Sequence, residues 1–503
     1  MEEESYSRSS RHQKSKPAKK VETTPPTAPQ PPAPKQKMPF WQRSILVLLV
    51  LVLIGVIAGV FYYQYEQAEA RKRFEAKEEE LLASIREDRN QSGIASEELS
   101  SNDGNIDTII FNPTSKDLPL KDVKAQLEKL AEKARDEIDG NPSALVVGRV
   151  ELKHVTDQLS EYRLTADRYV WNDGKESFSQ DSIHADEQAY INQATGKALS
   201  LKDIVGSQAN LLGIFQVIQQ KLLDESDDGN KIIDDVLNLQ KPTLDKTEFT
   251  YTPQQLTLTL PKNDLKESIT LDYKDIAAFV NTAFVDPDAI KDALPKALDP
   301  KKKYVSLTFD DGPNPETTPK LLNILKENDV KATFFMLGQN AEANPEVVKQ
   351  VLDAGHEVAS HSYDHPQLNT LDDKALKAQI QKTDKILYKA SGKLPRNLRP
   401  PYGAIDKHSA EVISKPIIQW NIDSEDWKSH NTDAILATIK ANLYDGSIIL
   451  LHDIHPETVA SIPQVIKLLK DNGYTIVPVN ELLGGKEKPL HQYFGAEDER
   501  VVE

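Results

Sequence analysis

Residues 304–336 read YVSLTFDDGPNPETTPKLLNILKENDVKATFFM. An apolar run, YVSLT (304–308), leads into an acidic turn at Asp310-Asp311-Gly312-Pro313. A stretch with apolar residues at helical spacing follows (TTPKLLNILKEN), then a second apolar run, ATFFM (332–336). Short apolar runs flanking an amphipathic helix predict a strand–helix–strand unit of a parallel sheet. The pattern repeats outward. Strand-like runs recur at HEVAS (356–360), NLR (397–399), PIIQW (416–420), SIILL (447–451) and YTIVP (474–478), with helical segments such as KALKAQIQKTDKILYKAS and IPQVIKLLKDNG between them. Seven such repeats predict an α/β domain over 300–485, a distorted parallel (β/α)7-like barrel, closed or nearly closed and covered by helices. Residues 486–503 read as a polar tail.

The chemistry follows the strands. Asp310-Asp311 comes after the first, His361-Ser-Tyr-Asp-His365 after the third and Arg399-Pro-Pro-Tyr402-Gly403 after the fourth. Asp423-Ser-Glu-Asp426-Trp427 comes after the fifth and His452-Asp-Ile-His455 after the sixth. In a parallel barrel these ends converge on one face, where such folds keep their active sites. The chain has no cysteine, so a metal must use His, Asp or Glu. One carboxylate with two histidines is a common catalytic set that leaves positions open for water and substrate, and Asp311, His361 and His365 supply it. An isolated pair of histidines four apart is more often solvated or satisfied in a core; two aspartates at the same mouth favour a metal here. The ligand set accepts several divalent ions and does not itself identify the metal; one ion is expected, zinc first, with cobalt, nickel or manganese as alternatives. Asp310 is the candidate base for a water acidified by that cation. Arg399 is placed to orient it and keep it ionised. A tetrahedral oxyanion could be met by the cation and by the backbone N–H of Tyr402, in a turn fixed by Pro400 and Pro401. His452, expected on the rim opposite Asp310, is a candidate acid for a leaving amine, with Asp426 raising its pKa. Trp427 and Leu450 either wall a pocket for a small methyl group or pack in the core.

The rest of the chain sets the context. Ser44 to Tyr65 carries no charge and is long enough to cross a membrane, with aromatic residues at both ends. It starts too far into the chain, and runs too long, for a cleaved signal peptide. Lys35, Lys37 and Arg43 before it favour a cytoplasmic N-terminus, although Arg71, Lys72 and Arg73 follow it. Residues 1–43 form a Pro-rich tail expected to be disordered. Residues 66–142 read as a helical stalk and linker, with 89–116 as the linker proper and a helix over 120–138. Residues 143–287 read as an α+β module of short alternating strands; YINQATGKALSLKDIV and YTPQQLTLTLP within it look like the extracytoplasmic domain of some anti-sigma factors and deacetylases. His154 and His184 lie there without metal-ligand spacing. The net charge of −17 argues against nucleic-acid binding.

Five motifs, TFDDGP (308–313), HSYDHP (361–366), RPPYG (399–403), DSEDW (423–427) and LLHDIH (450–455), make residues 304–483 resemble the NodB-homology domain of carbohydrate esterase family four. They are most similar to membrane-anchored peptidoglycan N-acetylglucosamine deacetylases of Gram-positive bacteria. The resemblance implies Asp310 as base, Asp311, His361 and His365 as metal ligands, Arg399 as the residue tuning the base, and His452 with Asp426 as the acid and its partner. It implies Tyr402 as oxyanion donor and Trp427 and Leu450 as an acetate pocket. Ser360 stands where many relatives have Asn. Implied too are removal of acetyl groups from wall glycan, lysozyme resistance, and a single-pass protein with its barrel outside the cell. Chitooligosaccharide or xylan deacetylation would use the same machinery; a reading of another class is a wall-binding or sensing protein acting through 143–287.

Overall fold

The computed structural model describes residues 39–503 except 93, 116–117, 141, 188 and 294–296. Most of the Pro-rich tail expected over 1–43 therefore lies outside the described residues. The chain divides into two compact units, Met1–Ala76 and Lys77–Glu503. The described part of the first is the start of helix Phe40–Ser92. Its residues from Ile45 to Tyr65 expose their apolar side chains on every side, and the helix is long and apolar enough to cross a membrane. Beyond Tyr65, ion pairs at helical spacing support it, Lys72–Glu69 at 2.8 Å and Arg71–Glu75 at 3.0 Å.

The second unit holds three sheets. The first contains β1 (Ser96–Asp103), β2 (Ile106–Pro113), β3 (Ala144–Thr156), β4 (Leu159–Asn172), β5 (Ser177–His184), β6 (Ala189–Asn192) and β7 (Lys197–Ala198). They run in the order β1-β2-β3-β4-β6-β7, with β5 on β4. Here the structure differs from the expected stalk and linker. Residues within 89–116 form a β-hairpin, and helix Val123–Asp136 packs Val123, Leu127, Leu130 and Ala134 into the core of the sheet. The physical reason is that β1 (SEELSSND) has no apolar alternation; it is an exposed edge strand held by its ladder to β2. The other face of the sheet, carrying Ile109, Phe111, Leu145 and Val147, is covered by Leu82 and Ile85 of the long helix. The second sheet, β8 (Phe249–Tyr251), β9 (Gln255–Thr259) and β10 (Ser268–Asp272), packs with helices Gln208–Asp224 and Gly229–Leu237 around a separate core.

The third sheet is the barrel. Its strands are β11 (Lys303–Asp310), β12 (Thr333–Met336), β13 (Glu357–Ser360), β14 (Ile417–Ile418), β15 (Ile422–Asp423), β16 (Ser447–His452), β17 (Tyr474–Ile476), β18 (His491–Gly495) and β19 (Asp498–Val501). The order β13-β12-β11-β16-β18-β14 is closed into a ring by Leu398, which bridges Ser360 of β13 on one side and Ile417 of β14 on the other. Residues alternate strictly along the staves. Val305, Leu307 and Phe309 face the helices with Ile449 and Leu451, whereas Phe335, Ala359, Ile418 and Ile448 fill the barrel interior. The expected polar tail is not one. β18 and β19 form a hairpin, and β18 pairs with β14 and touches β16, completing the ring. With only Tyr493 and Phe494 as large apolar residues, HQYFG carries little strand signal.

Candidate active site

β11 and β16 run parallel with six paired rungs, and the last places Asp310 directly beside His452. The acid candidate therefore neighbours the base candidate on the next stave; it does not face it across the mouth as expected. Because both sit on interior-facing positions, their side chains enter the same space. Leu450, one interior position below His452, pairs with Thr308 and with Asp423 of β15. It is buried, while Trp427 is half exposed on the short helix Asp426–Ser429.

Asp310 is buried and its Oδ1 accepts from Arg399 Nη1 at 2.7 Å. Arg399 is fully enclosed. It donates also to Thr308 Oγ1 (2.8 Å) and to the carbonyls of Ile418 (3.1 Å) and Gln419 (3.0 Å), and its plane lies 4.1 Å from the centre of the Phe335 ring. A guanidinium held on all sides this way has one orientation. Burial pushes the Asp310 carboxyl above its ordinary value, and Arg399 opposes that rise. A raised but charge-paired carboxylate suits a proton acceptor near neutral pH.

Asp311, His361 and His365 converge as expected. Asp311 Oδ1 lies 3.6 Å from Nε2 of each histidine, and one donor atom from each of the three lies within 4.8 Å of the others. Donors of a tetrahedral site at ~2.1 Å from their ion are about 3.4 Å apart. His361 Nδ1 is bonded to the Arg399 carbonyl at 2.7 Å, leaving Nε2 as its free donor. Burial keeps His361 neutral down to about 3, the protonation state a ligand needs. Asp311 Oδ1 is buried without any hydrogen-bond partner. A buried carboxylate oxygen stranded between two imidazoles without a hydrogen bond is costly unless a cation joins them, so the donor set fits a divalent metal.

The backbone is bent to make this possible. Asp311, Ser362, His365 and Tyr402 all take left-handed conformations, with φ of 72°, 72°, 68° and 62°. Non-glycine residues in that region carry strain that the surroundings must hold. Asn340 Nδ2 grips the Asp311 carbonyl at 2.7 Å, and Gly338 N–H donates to the Ser362 carbonyl at 2.9 Å. Gly312 has no room for a Cβ because the Asp453 carboxylate lies over it. Asp453 was not among the expected site residues, although it stands next to His452. It accepts from the Thr318 hydroxyl, and burial pushes it up to about 7.

On the other side, His452 Nδ1 and Asp426 Oδ1 are 2.8 Å apart, and Asp426 Oδ2 accepts from the His452 N–H and the Thr458 hydroxyl, each at 2.8 Å. Burial opposes ionisation of Asp426, but its bonds from His452 and Thr458 prevail and hold it below the usual carboxylate range. Burial likewise disfavours the His452 cation, yet Asp426, Asp310 and Asp311 raise it to about 9. The Tyr402 ring packs edge-on to His365 at 4.6 Å and is largely exposed at the mouth.

Residues 297–416 match the polysaccharide deacetylase family, and residues 79–292 match the peptidoglycan GlcNAc deacetylase N-terminal domain. A peptidoglycan-N-acetylglucosamine deacetylase, PgdA, of Listeria monocytogenes is 30% identical over 473 residues, 92% of this chain and 99% of that protein. The chain belongs to the polysaccharide deacetylase family. A second member, the peptidoglycan-N-acetylmuramic acid deacetylase PdaC of Bacillus subtilis, is 40% identical over 192 residues, 38% of this chain and 41% of that one. A solved family 4 carbohydrate esterase of Streptomyces lividans, in complex with acetate, is 36% identical, covering 37% of this chain and 96% of its own with a TM-score of 0.34. In this deacetylase the domain match from 79 takes in the β1–β2 hairpin and helix Val123–Asp136 together with 143–287.

Proposed function

We propose that this deacetylase hydrolyses the N-acetyl group of N-acetylglucosamine in peptidoglycan, releasing acetate. The observation that carries the reading is the pair of groups flanking one metal-ligand set: a charge-paired carboxylate, Asp310, and an imidazolium, His452, on adjacent staves. Asp311, His361 and His365 would hold one divalent ion, zinc in our reading, which supplies Lewis acidity toward the acetyl carbonyl and acidifies water. Asp310 takes the proton of the attacking water. Arg399 fixes that carboxylate on the metal side of the mouth. The Tyr402 N–H is the donor assigned to the oxyanion. His452, charged at neutral pH because Asp426 holds it so, gives a proton to the leaving amine, and without that proton the C–N bond would not break. Trp427 and Leu450 are assigned to the acetyl methyl.

Similarity to the Listeria enzyme over both the N-terminal domain and the barrel supports N-acetylglucosamine as the sugar. Helix Phe40–Ser92 supports a membrane anchor with the barrel outside the cell, where the insoluble polymer lies. The test is acetate release from acetylated peptidoglycan by the full chain, alongside chitooligosaccharide. Turnover on peptidoglycan, with a deletion strain more acetylated and more lysozyme-sensitive and an Asp310→Asn copy failing to restore it, bears the reading out. Turnover on soluble oligosaccharide alone transfers the activity to that substrate. Protection of the barrel from protease added to protoplasts would sink the topology.

A further inference from the structure

The stave carrying Arg399 is held by a short ladder. β11 and β16 share six rungs, β12 and β13 four, but residues 397–399 reach each neighbour through a single bridge at Leu398. Yet two parts of the site hang on it. The Arg399 guanidinium fixes Asp310 at 2.7 Å, and its carbonyl fixes His361 Nδ1 at 2.7 Å. Inside the barrel the stave is held by four backbone hydrogen bonds, two with Ser360 and two with Pro416 and Ile418, and Lys415 donates to the Pro395 carbonyl just upstream; contacts from outside the barrel add to these.

The residues just upstream are gripped by a helix of the N-terminal part of the chain, Gln208–Asp224. Gln220 Nε2 donates to the Gly392 carbonyl at 3.2 Å and its Oε1 accepts the Leu394 N–H at 2.8 Å. Gln216 Nε2 donates to the Arg396 carbonyl at 2.9 Å. Lys393 pairs with Asp224 at 3.0 Å, and the Arg396 guanidinium lies 5.2 Å from the Phe279 ring centre. Leu394 packs into the core around that helix. Backbone groups of the alternate residues 392, 394 and 396 are thus tied to one helix face, the last of them three residues before Arg399. Other contacts between the same two regions, such as Lys385–Asp234 at 2.6 Å, lie on helix Asp373–Ser391 and do not touch this segment.

We infer that Gln216 and Gln220 are positioning residues of the deacetylation. By clamping 392–396 they set the register of the stave, and through Arg399 the alignment of Asp310 and His361. The inference rests on the assignment of those two residues under the proposed function. It gives the N-terminal domain a part in the chemistry, in addition to any part in reach or binding.

Glutamate substitutions test this without changing volume: each removes the amide donor, and Gln220→Glu keeps the acceptor for Leu394. In the full-length, metal-loaded enzyme, the Gln216→Glu/Gln220→Glu variant should lose about tenfold in kcat with KM unchanged, since a small misplacement of a catalytic group costs rate more than binding. The visible spectrum of its cobalt-substituted form should change as His361 shifts. Asp234→Ala, which loosens the same pair of regions elsewhere, should keep both kcat and spectrum. Wild-type kcat in the double variant, or an equal fall in Asp234→Ala, overturns the clamp. An Arg399→Lys enzyme of full activity would overturn the site assignment first and the clamp with it; loss in Arg399→Lys combined with wild-type kcat in the glutamine variant sinks the clamp alone.

Discussion

Two arginine–aspartate pairs, each with a buried carboxylate, separate structure from chemistry in this molecule. In the N-terminal sheet, Arg149 meets Asp167 at 2.8 Å; in the barrel, Arg399 meets Asp310 at 2.7 Å. The distances hardly differ, and both aspartates are buried. What differs is the second oxygen. Asp167 Oδ1 accepts the Ser182 hydroxyl at 2.6 Å, so that carboxylate is satisfied. Asp310 Oδ2 looks across 3.7 Å at His361 Nε2, beside an Asp311 oxygen that has no hydrogen-bond partner. A finished pair stabilises a fold. An unfinished one, kept unfinished by strained backbone, is a place for something to bind.

The comparison breaks if the barrel pair proves as inert as the sheet pair. The largest effect should come from chelation. Stripping divalent metal should lower deacetylation by about 10³-fold or more, with a divalent ion restoring it and raising the melting temperature as any native-state ligand does; a chelator-resistant enzyme would mean that the Asp311 oxygen is stranded for another reason. Next, Asp310→Asn should cost at least ~10²-fold in kcat while metal stays bound. Metal loss equal to that of His361→Ala would make Asp310 a ligand instead. Third, activity should hold below about 9 and fall as pH rises through it, because His452 must carry its proton and its pKa is raised. In Asp426→Asn, burial loses its main opponent and only Asp310 and Asp311 still favour the cation, so the falling limb should move to lower pH. An unmoved limb would remove Asp426 from the mechanism. The smallest effect sharpens the contrast: Asp167→Asn should destabilise by roughly 2 kcal/mol, less than the ~3–5 kcal/mol of a fully buried pair because Arg149 is partly exposed, and leave kcat unchanged. Urea denaturation and an acetate assay on the same sample decide it.

Much of the site was legible because strand ends in a parallel barrel carry the reactive groups, so motifs and apolar runs are read together. Asp311, His361 and His365 meet as their order along the chain implied. The placement of His452 was not legible, since sequence gives the order of strands along the chain but not which staves touch; β16 lies beside β11, against expectation. Asp453 escaped, although it lies in the LLHDIH motif, because its closeness to Gly312 and its bond from Thr318 are tertiary contacts that spacing along the chain does not show. β1 and β18 escaped for a different reason. One is polar throughout and the other short, and each exists as a strand because a neighbour offers it a ladder.

The barrel's ring depends on a stave from the far end of the chain. Residues 491–495 are made about 190 residues after β11 begins, so the closure through β18 forms only once nearly the whole barrel sequence has been made. Until then β14 lacks its second neighbour and β16 is paired on that side only by its two rungs to β15, and contacts this distant in sequence form slowly. The same dependence means that a fragment ending at 485 would lack a stave, and any soluble version of the enzyme must run through the final hairpin.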